Sequence, residues 1–85
     1  MMVWKKFRKK PVVVEAFQLT ETTMGGLMSL GLIREIPECS VYDHLHDTWV
    51  KCEIGDWIIR GVQGEVYPCK ASVFEQTYEP VEGEK

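Results

Sequence analysis

Residues 53–69 hold two β-rich runs, Trp57-Ile58-Ile59-Arg60 and Glu65-Val66-Tyr67-Pro68, around a Gly61-x-x-Gly64 step. A chain with this pattern has few alternatives to a β-hairpin. With Gly61 to Gly64 closing the turn, Arg60 faces Glu65, Ile59 faces Val66, Ile58 faces Tyr67 and Trp57 faces Pro68: an opposite-charge pair at the mouth with apolar pairs behind it. Alternation then places Trp57, Ile59, Val66 and Pro68 on a core face. It places Ile58, Arg60, Glu65 and Tyr67 on a half-polar face that is either solvated or the floor of a site.

The rest of the chain reads in the same terms. Val12 to Leu19 is β-branched and aromatic on both faces and predicts a strand over 12–19, with Glu15 a mid-strand carboxylate that calls for a neighbouring Lys or Arg. Thr20-Glu21-Thr22-Thr23 is rich in N-capping types, Met24, Leu27, Met28 and Leu30 follow near one face, and Gly31 suits C′, predicting a helix over 21–30. Residues 32–40 read as a connection. A turn at Asp47-Thr48 predicts a second hairpin over 41–54, with Val41, Leu45, Val50, Cys52 and Ile54 on its core face. Tyr42, His44, His46, Trp49 and Lys51 fall on the other face, Trp49 across from His46 and Lys51 across from His44. Phe74 and Tyr78, four apart, predict a helical segment at 70–77 packed on the sheet. The order of elements gives a small single α+β domain over 1–85, mainly antiparallel, with two hairpins, an N-terminal strand and one or two short helices. Residues 81–85 read as a frayed tail.

At 85 residues the chain sits near the lower end of what one core stabilises, so a homo-oligomer is expected. The three cysteines, Cys39, Cys52 and Cys69, have no CxxC spacing, and their odd number excludes a complete set of internal disulfides. A reducing cytosol fits that usage, and neither a membrane-spanning run nor the apolar stretch of a signal peptide is seen, so a cytoplasmic protein without a membrane partner is expected. Lys5, Lys6, Arg8, Lys9 and Lys10 form a basic head. Residues 11–85 carry all 13 acidic residues against five basic ones, a balance of −8. Such a head offers phosphate contacts and makes a nucleic-acid accessory role the alternative function. The acidic body disfavours strong duplex binding.

Chemistry-bearing residues are sparse. His44-x-His46 on a strand projects two imidazoles from one face, but Asp43 and Cys52 point the other way and only Asp47 at the turn can swing in, so no metal and no cofactor are expected. Cys69 beside Lys70 has no evident base, and no catalytic residues are assigned. Gly55-Asp56 reads as ordinary turn chemistry before a strand, and Gly61-x-x-Gly64 lacks the helix and Lys-Ser/Thr of a phosphate loop. What remains is the face bearing Tyr42, His44, His46 and Trp49, joined by Tyr67, as a binding surface with Trp49 its anchor under a partner.

Lys9-Lys10-Pro11-Val12-Val13-Val14-Glu15-Ala16 near the start, with Gly55-Asp56-Trp57 through Tyr67-Pro68-Cys69-Lys70, then Phe74-Glu75 and Thr77-Tyr78-Glu79-Pro80, resembles a family of small uncharacterised phage and prophage proteins. The likeness covers about half the chain. It departs at Ile54, where that family commonly has Pro, and is loose over 20–50. It implies a bacterial or phage-infected cytosolic setting and transfers no catalytic residue. The expected function is therefore a non-enzymatic module binding a host protein or a small ligand, with a small enzyme whose site is shared between subunits as the remaining alternative.

Overall fold

A computed structural model describes residues 3–8 and 10–81. Its elements are β1 (Glu15–Gln18), α1 (Glu21–Ser29), β2 (Ile33–Arg34), β3 (Ser40–Asp43), β4 (Thr48–Lys51), β5 (Trp57–Arg60), β6 (Val66–Cys69) and α2 (Ala71–Thr77). The domain is α+β, and its strands are shared between two antiparallel three-stranded sheets, β1-β5-β6 and β2-β3-β4. Both predicted helices are present. The predicted strand over 12–19 is paired only at Glu15–Gln18, and the supposed connection at 32–40 contains β2, whose two residues are too few to show a period. Of the basic head, residues 3–8 and Lys10 have no regular structure and are exposed; Lys9, and the predicted tail beyond Val81, lie outside the described residues.

Local chemistry sets the element ends. Thr20 caps α1 through a reciprocal pair of bonds with Thr23: the Thr23 N–H donates to Thr20 Oγ1 (3.2 Å) and the Thr20 N–H to Thr23 Oγ1 (2.8 Å). Such caps contribute ~1 kcal/mol and offset part of the cost of Gly25 and Gly26 inside the helix. The Glu53 N–H donates to Asp56 Oδ2 at 3.0 Å, the turn role expected of Gly55-Asp56. Pro68 sits on β6, an edge strand, where its missing N–H costs no ladder bond inside the sheet.

The β5–β6 register differs from the expected one by a single residue. Arg60 pairs with Val66, Ile59 with Tyr67, Ile58 with Pro68 and Trp57 with Cys69. The reason lies in the turn: the Gly61 N–H donates to Glu65 O (2.8 Å), the Gly64 N–H to Gly61 O (3.0 Å), and Gly64 adopts φ +89°. This is a three-residue loop, Val62-Gln63-Gly64, in which a left-handed glycine absorbs one extra residue. Because alternation has period two, the slip turns every β6 side chain over. Val66 and Pro68 thus share a face with Ile58 and Arg60, and Tyr67 moves to the face of Trp57 and Ile59. Arg60 is not paired with Glu65. It donates through Nε to Glu15 Oε1 at 3.0 Å and through Nη2 to the same oxygen, supplying the partner that Glu15 required.

The core lies between the sheets. Ile58, Phe17 and Val66 of the first sheet meet Val41, Ile33 and Val50 of the second, closed by Leu19, by Met24 and Leu27 of α1, and by Cys52. Leu19 is fully buried and held by backbone bonds to residues 55 and 56, so the end of β1 is fixed before α1 begins. On the far face of the first sheet Phe74 of α2 stacks on Trp57, centroids 4.3 Å apart at 6°, and Tyr78 stacks on Phe74. That column is the helix docking expected from the Phe74/Tyr78 spacing.

Candidate functional site

The β3–β4 hairpin forms, but not around Asp47-Thr48. Asp43 pairs with Thr48 and Tyr42 with Trp49, leaving a four-residue loop from His44 to Asp47. A two-residue turn centred on Asp47-Thr48 requires either positive φ at both residues, which a β-branched Thr resists, or the type II′ geometry that favours Gly at the first. Asp47 alone takes positive φ, at 51°. The partner of Trp49 moves from His46 to Tyr42, a slip of four residues and so an even one, and Val41 and Val50 keep the core face and Tyr42 and Trp49 the other.

Asp43 organises that loop. Its carboxylate is buried; Oδ1 accepts from the Leu45 N–H (3.1 Å) and the Val66 N–H (3.2 Å), and Oδ2 accepts from His46 Nδ1 (2.6 Å). The bond to Val66 joins the β3–β4 hairpin to the edge of the other sheet. His46 holds the Asp43 carboxyl below the usual carboxylate range against the opposing push of burial, with the two N–H donors adding to the effect. The sequence shows the Asp and the His, but the expected turn put them on opposite faces.

The predicted patch is therefore partly dispersed. His44 leaves the strand and sets its ring edge-on to Tyr42 at 4.6 Å, whereas His46 turns to Asp43, so the two imidazoles serve different partners. Trp49 is half-buried, 5.2 Å from Tyr42, and the Arg34 guanidinium lies 4.3 Å over its ring. Part of the cover expected for Trp49 comes from β2 of its own chain, a cation–π contact worth ~0.5–1 kcal/mol at exposed sites. The Tyr42 hydroxyl donates to Asp47 Oδ1, which raises its pKa. Tyr67 does not join them. The one-residue slip sends it to the α2 side, where its hydrogen bond with Tyr78, more than burial, pushes its pKa up to about 12.

A cleft that the sequence did not reveal brings Tyr42 and His44 together with residues from the first sheet. It measures about 550 Å³ and runs between β1–β5 and β3, over α1. Phe17, Leu27, Leu32, Val41, Ile58 and Val66 give it apolar walls, with Tyr42 and His44 on one side and the Glu15–Arg60 pair on the other. The face of β5 read as half-polar is in fact the one that carries Ile58 into the core between the sheets, while the expected core face bears Trp57 against α2; Ile58 and Arg60 line this cleft, joined by Val66 in place of Tyr67. Detecting it from sequence required the pairing of β1 with β5, 45 residues apart at Glu15 and Arg60.

A second groove of about 610 Å³ separates Val12, Val13 and Val14 from Trp57, Phe74 and Tyr78. Among the three thiols, Cys39 Sγ lies 3.4 Å from Cys52 Sγ, while the Cys69 thiol donates weakly to its neighbour Lys70 O at 3.7 Å. Among the described residues no helix is long and apolar enough to cross a membrane. Comparison with protein-family models, curated proteins and solved structures finds no match to this chain.

Proposed function

We propose that this chain is a non-enzymatic binding module of phage or prophage type, working in the bacterial cytosol as a homo-oligomer. Its ligand is a small amphipathic anion, with an apolar body between the sheets and an anionic head at Arg60. The observation that carries the reading is the cleft. Its volume of about 550 Å³ falls within the ~300–1,000 Å³ of small-molecule sites, and the Glu15–Arg60 pair stands at one end of its mostly apolar lining. Arg60 is the cation at that end. Its present partner Glu15 is solvent-exposed, so an incoming carboxylate displaces a contact worth under ~1 kcal/mol. Unpaired Val12 and Val13, exposed beside the free edge of β1, supply the contact for a second copy.

Decanoate tests the reading. Titration followed by amide NMR shifts should move Phe17, Val41 and Val66 together, and Arg60→Gln should weaken binding about tenfold, the loss of one charge-assisted hydrogen bond. Shifts confined to other surfaces, or equal affinity for the Arg60→Gln variant, would sink it.

The alternative use of the basic head, a nucleic-acid accessory role for Lys5, Lys6, Arg8, Lys9 and Lys10, draws support from one observation. Trp4 and Phe7 are 91% and 90% exposed among those cations, the interleaving that single strands stack on. Binding that falls with salt at a log–log slope of about −3 to −4, for five single-strand phosphate contacts, would favour it.

A further inference from the structure

The register of β3 and β4, extended one position beyond Ser40 and Lys51, sets Cys39 directly across from Cys52. The Cys52 N–H donates to Cys39 O at 2.9 Å, so one bond of the ladder type reaches this position. Residues directly opposed on antiparallel strands hold their Cα atoms ~4.5–5.5 Å apart, inside the span a disulfide bridges. The two sulfurs already stand 3.4 Å apart. Closing them to a bonded ~2.05 Å is a movement that side-chain rotation supplies. Cys69 sits on β6 of the other sheet, opposite Trp57, and is not the third member of this group.

We propose that Cys39 and Cys52 are a reversible covalent modification site, oxidised to an intramolecular disulfide by small-molecule disulfides of the glutathione class. The chemistry is thiol–disulfide exchange. Cys52 is buried at 3% exposure and Cys39 is half-buried, so a reagent from solvent reaches Cys39 first. The Cys39 thiolate attacks one sulfur of the reagent, forming a mixed disulfide as the reagent's own S–S bond breaks and one thiol leaves with a proton. Cys52 then gives up its proton and attacks Cys39 Sγ. The Cys39–Cys52 bond forms, the mixed bond breaks and a second thiol leaves. The protein loses two electrons and two protons, and the reagent gains both. Burial, followed by the hydrogen bond with Cys39, pushes the Cys52 thiol up to about 12, which adds to its inaccessibility in leaving the first attack to Cys39 and the resolving role to Cys52.

The bridge encloses residues 40–51, all of the β3–β4 hairpin with Tyr42, His44, His46 and Trp49 on it. In a reducing compartment such bonds are transient and act as sensors, which suits a pair with one reachable sulfur. The odd thiol count is then one pair plus Cys69.

The test incubates the purified folded chain with oxidised glutathione. The expected result is an intact mass lower by about 2 Da, for two lost hydrogens. A Cys39–Cys52 cross-linked peptide should accompany it, with a Tm higher by on the order of 10 °C and reversal of all three by dithiothreitol. Cys52→Ala should stall as a glutathione adduct at Cys39, and Cys39→Ser should give no cross-link. Should either variant fail to fold, Cys69→Ser, remote from the pair, must still yield the same cross-link. A bridge through Cys69, or a bridge that forms only in denaturant, would overturn the proposal.

Discussion

The β3–β4 and β5–β6 hairpins close their strands by different means. The first loop, His44 to Asp47, is held by side chains: Asp43 collects three donors, and Asp47 takes the Tyr42 hydroxyl. The second, Val62 to Gly64, is held by backbone bonds across Gly61 and by the positive φ of Gly64, with the Glu65 carboxylate capping the Gln63 N–H at 3.0 Å. One turn is thus specified by charge and hydrogen bonding, the other by which residue tolerates a left-handed backbone. The Asp43-built turn responds to acid through the lowered pKa of that carboxyl, whereas what Gly64 contributes to the other is a backbone conformation and carries no charge.

That contrast can be broken in order of size. Both hairpins hang on one core, so Ile58→Ala, at 3% exposure, should cost ~2–5 kcal/mol in urea denaturation, more than any change in either loop. A loop substitution with a larger cost would show that the turns, not the core, dictate the pairing. Next comes acid. The folded state lowers the Asp43 pKa, so the unfolded chain binds that proton more readily, and the stability Asp43 supplies is complete above its ordinary value of ~3.9. It is lost as pH falls through the lower folded value. Asp43→Asn should therefore flatten the fall of the urea midpoint below about pH 4, and an unchanged acid limb would remove Asp43 from its assigned place. Smallest is Gly64→Ala, where φ +89° penalises a Cβ by ~1–2 kcal/mol. Its cost should be the same at pH 4 and pH 7, and a pH-dependent cost would merge the two kinds of turn into one.

Those two turns also explain what could be read in advance. Strand and helix positions followed from β-branched runs, capping Thr residues and the Phe74/Tyr78 spacing, and the α+β class followed from their order. Register did not, because it is set by the turns. The even slip at His44–Asp47 left Tyr42 and Trp49 on the expected face, while the odd slip at Gly64 carried Tyr67 away from it. β2 stayed hidden in two residues, and with it the Arg34 cover of Trp49. The cleft was out of reach for another reason: its two walls come from segments whose pairing leaves no local mark in the chain.

The long separation of β1 from β5 also has a consequence in time. Glu15 meets Arg60 across 45 residues, with all of the second sheet lying between them in the chain. On a ribosome adding roughly 5–20 residues per second, β1 waits about 2–9 seconds for its partner strand to be made. The β3–β4 hairpin, whose contacts are local, needs no distant strand and closes in microseconds once its residues are free of the ribosome. Until β5 is made, Phe17 has neither its partner strand nor the core that strand brings, and like charges such as those of Lys5, Lys6, Arg8, Lys9 and Lys10 are a general device against pairing of an open strand edge.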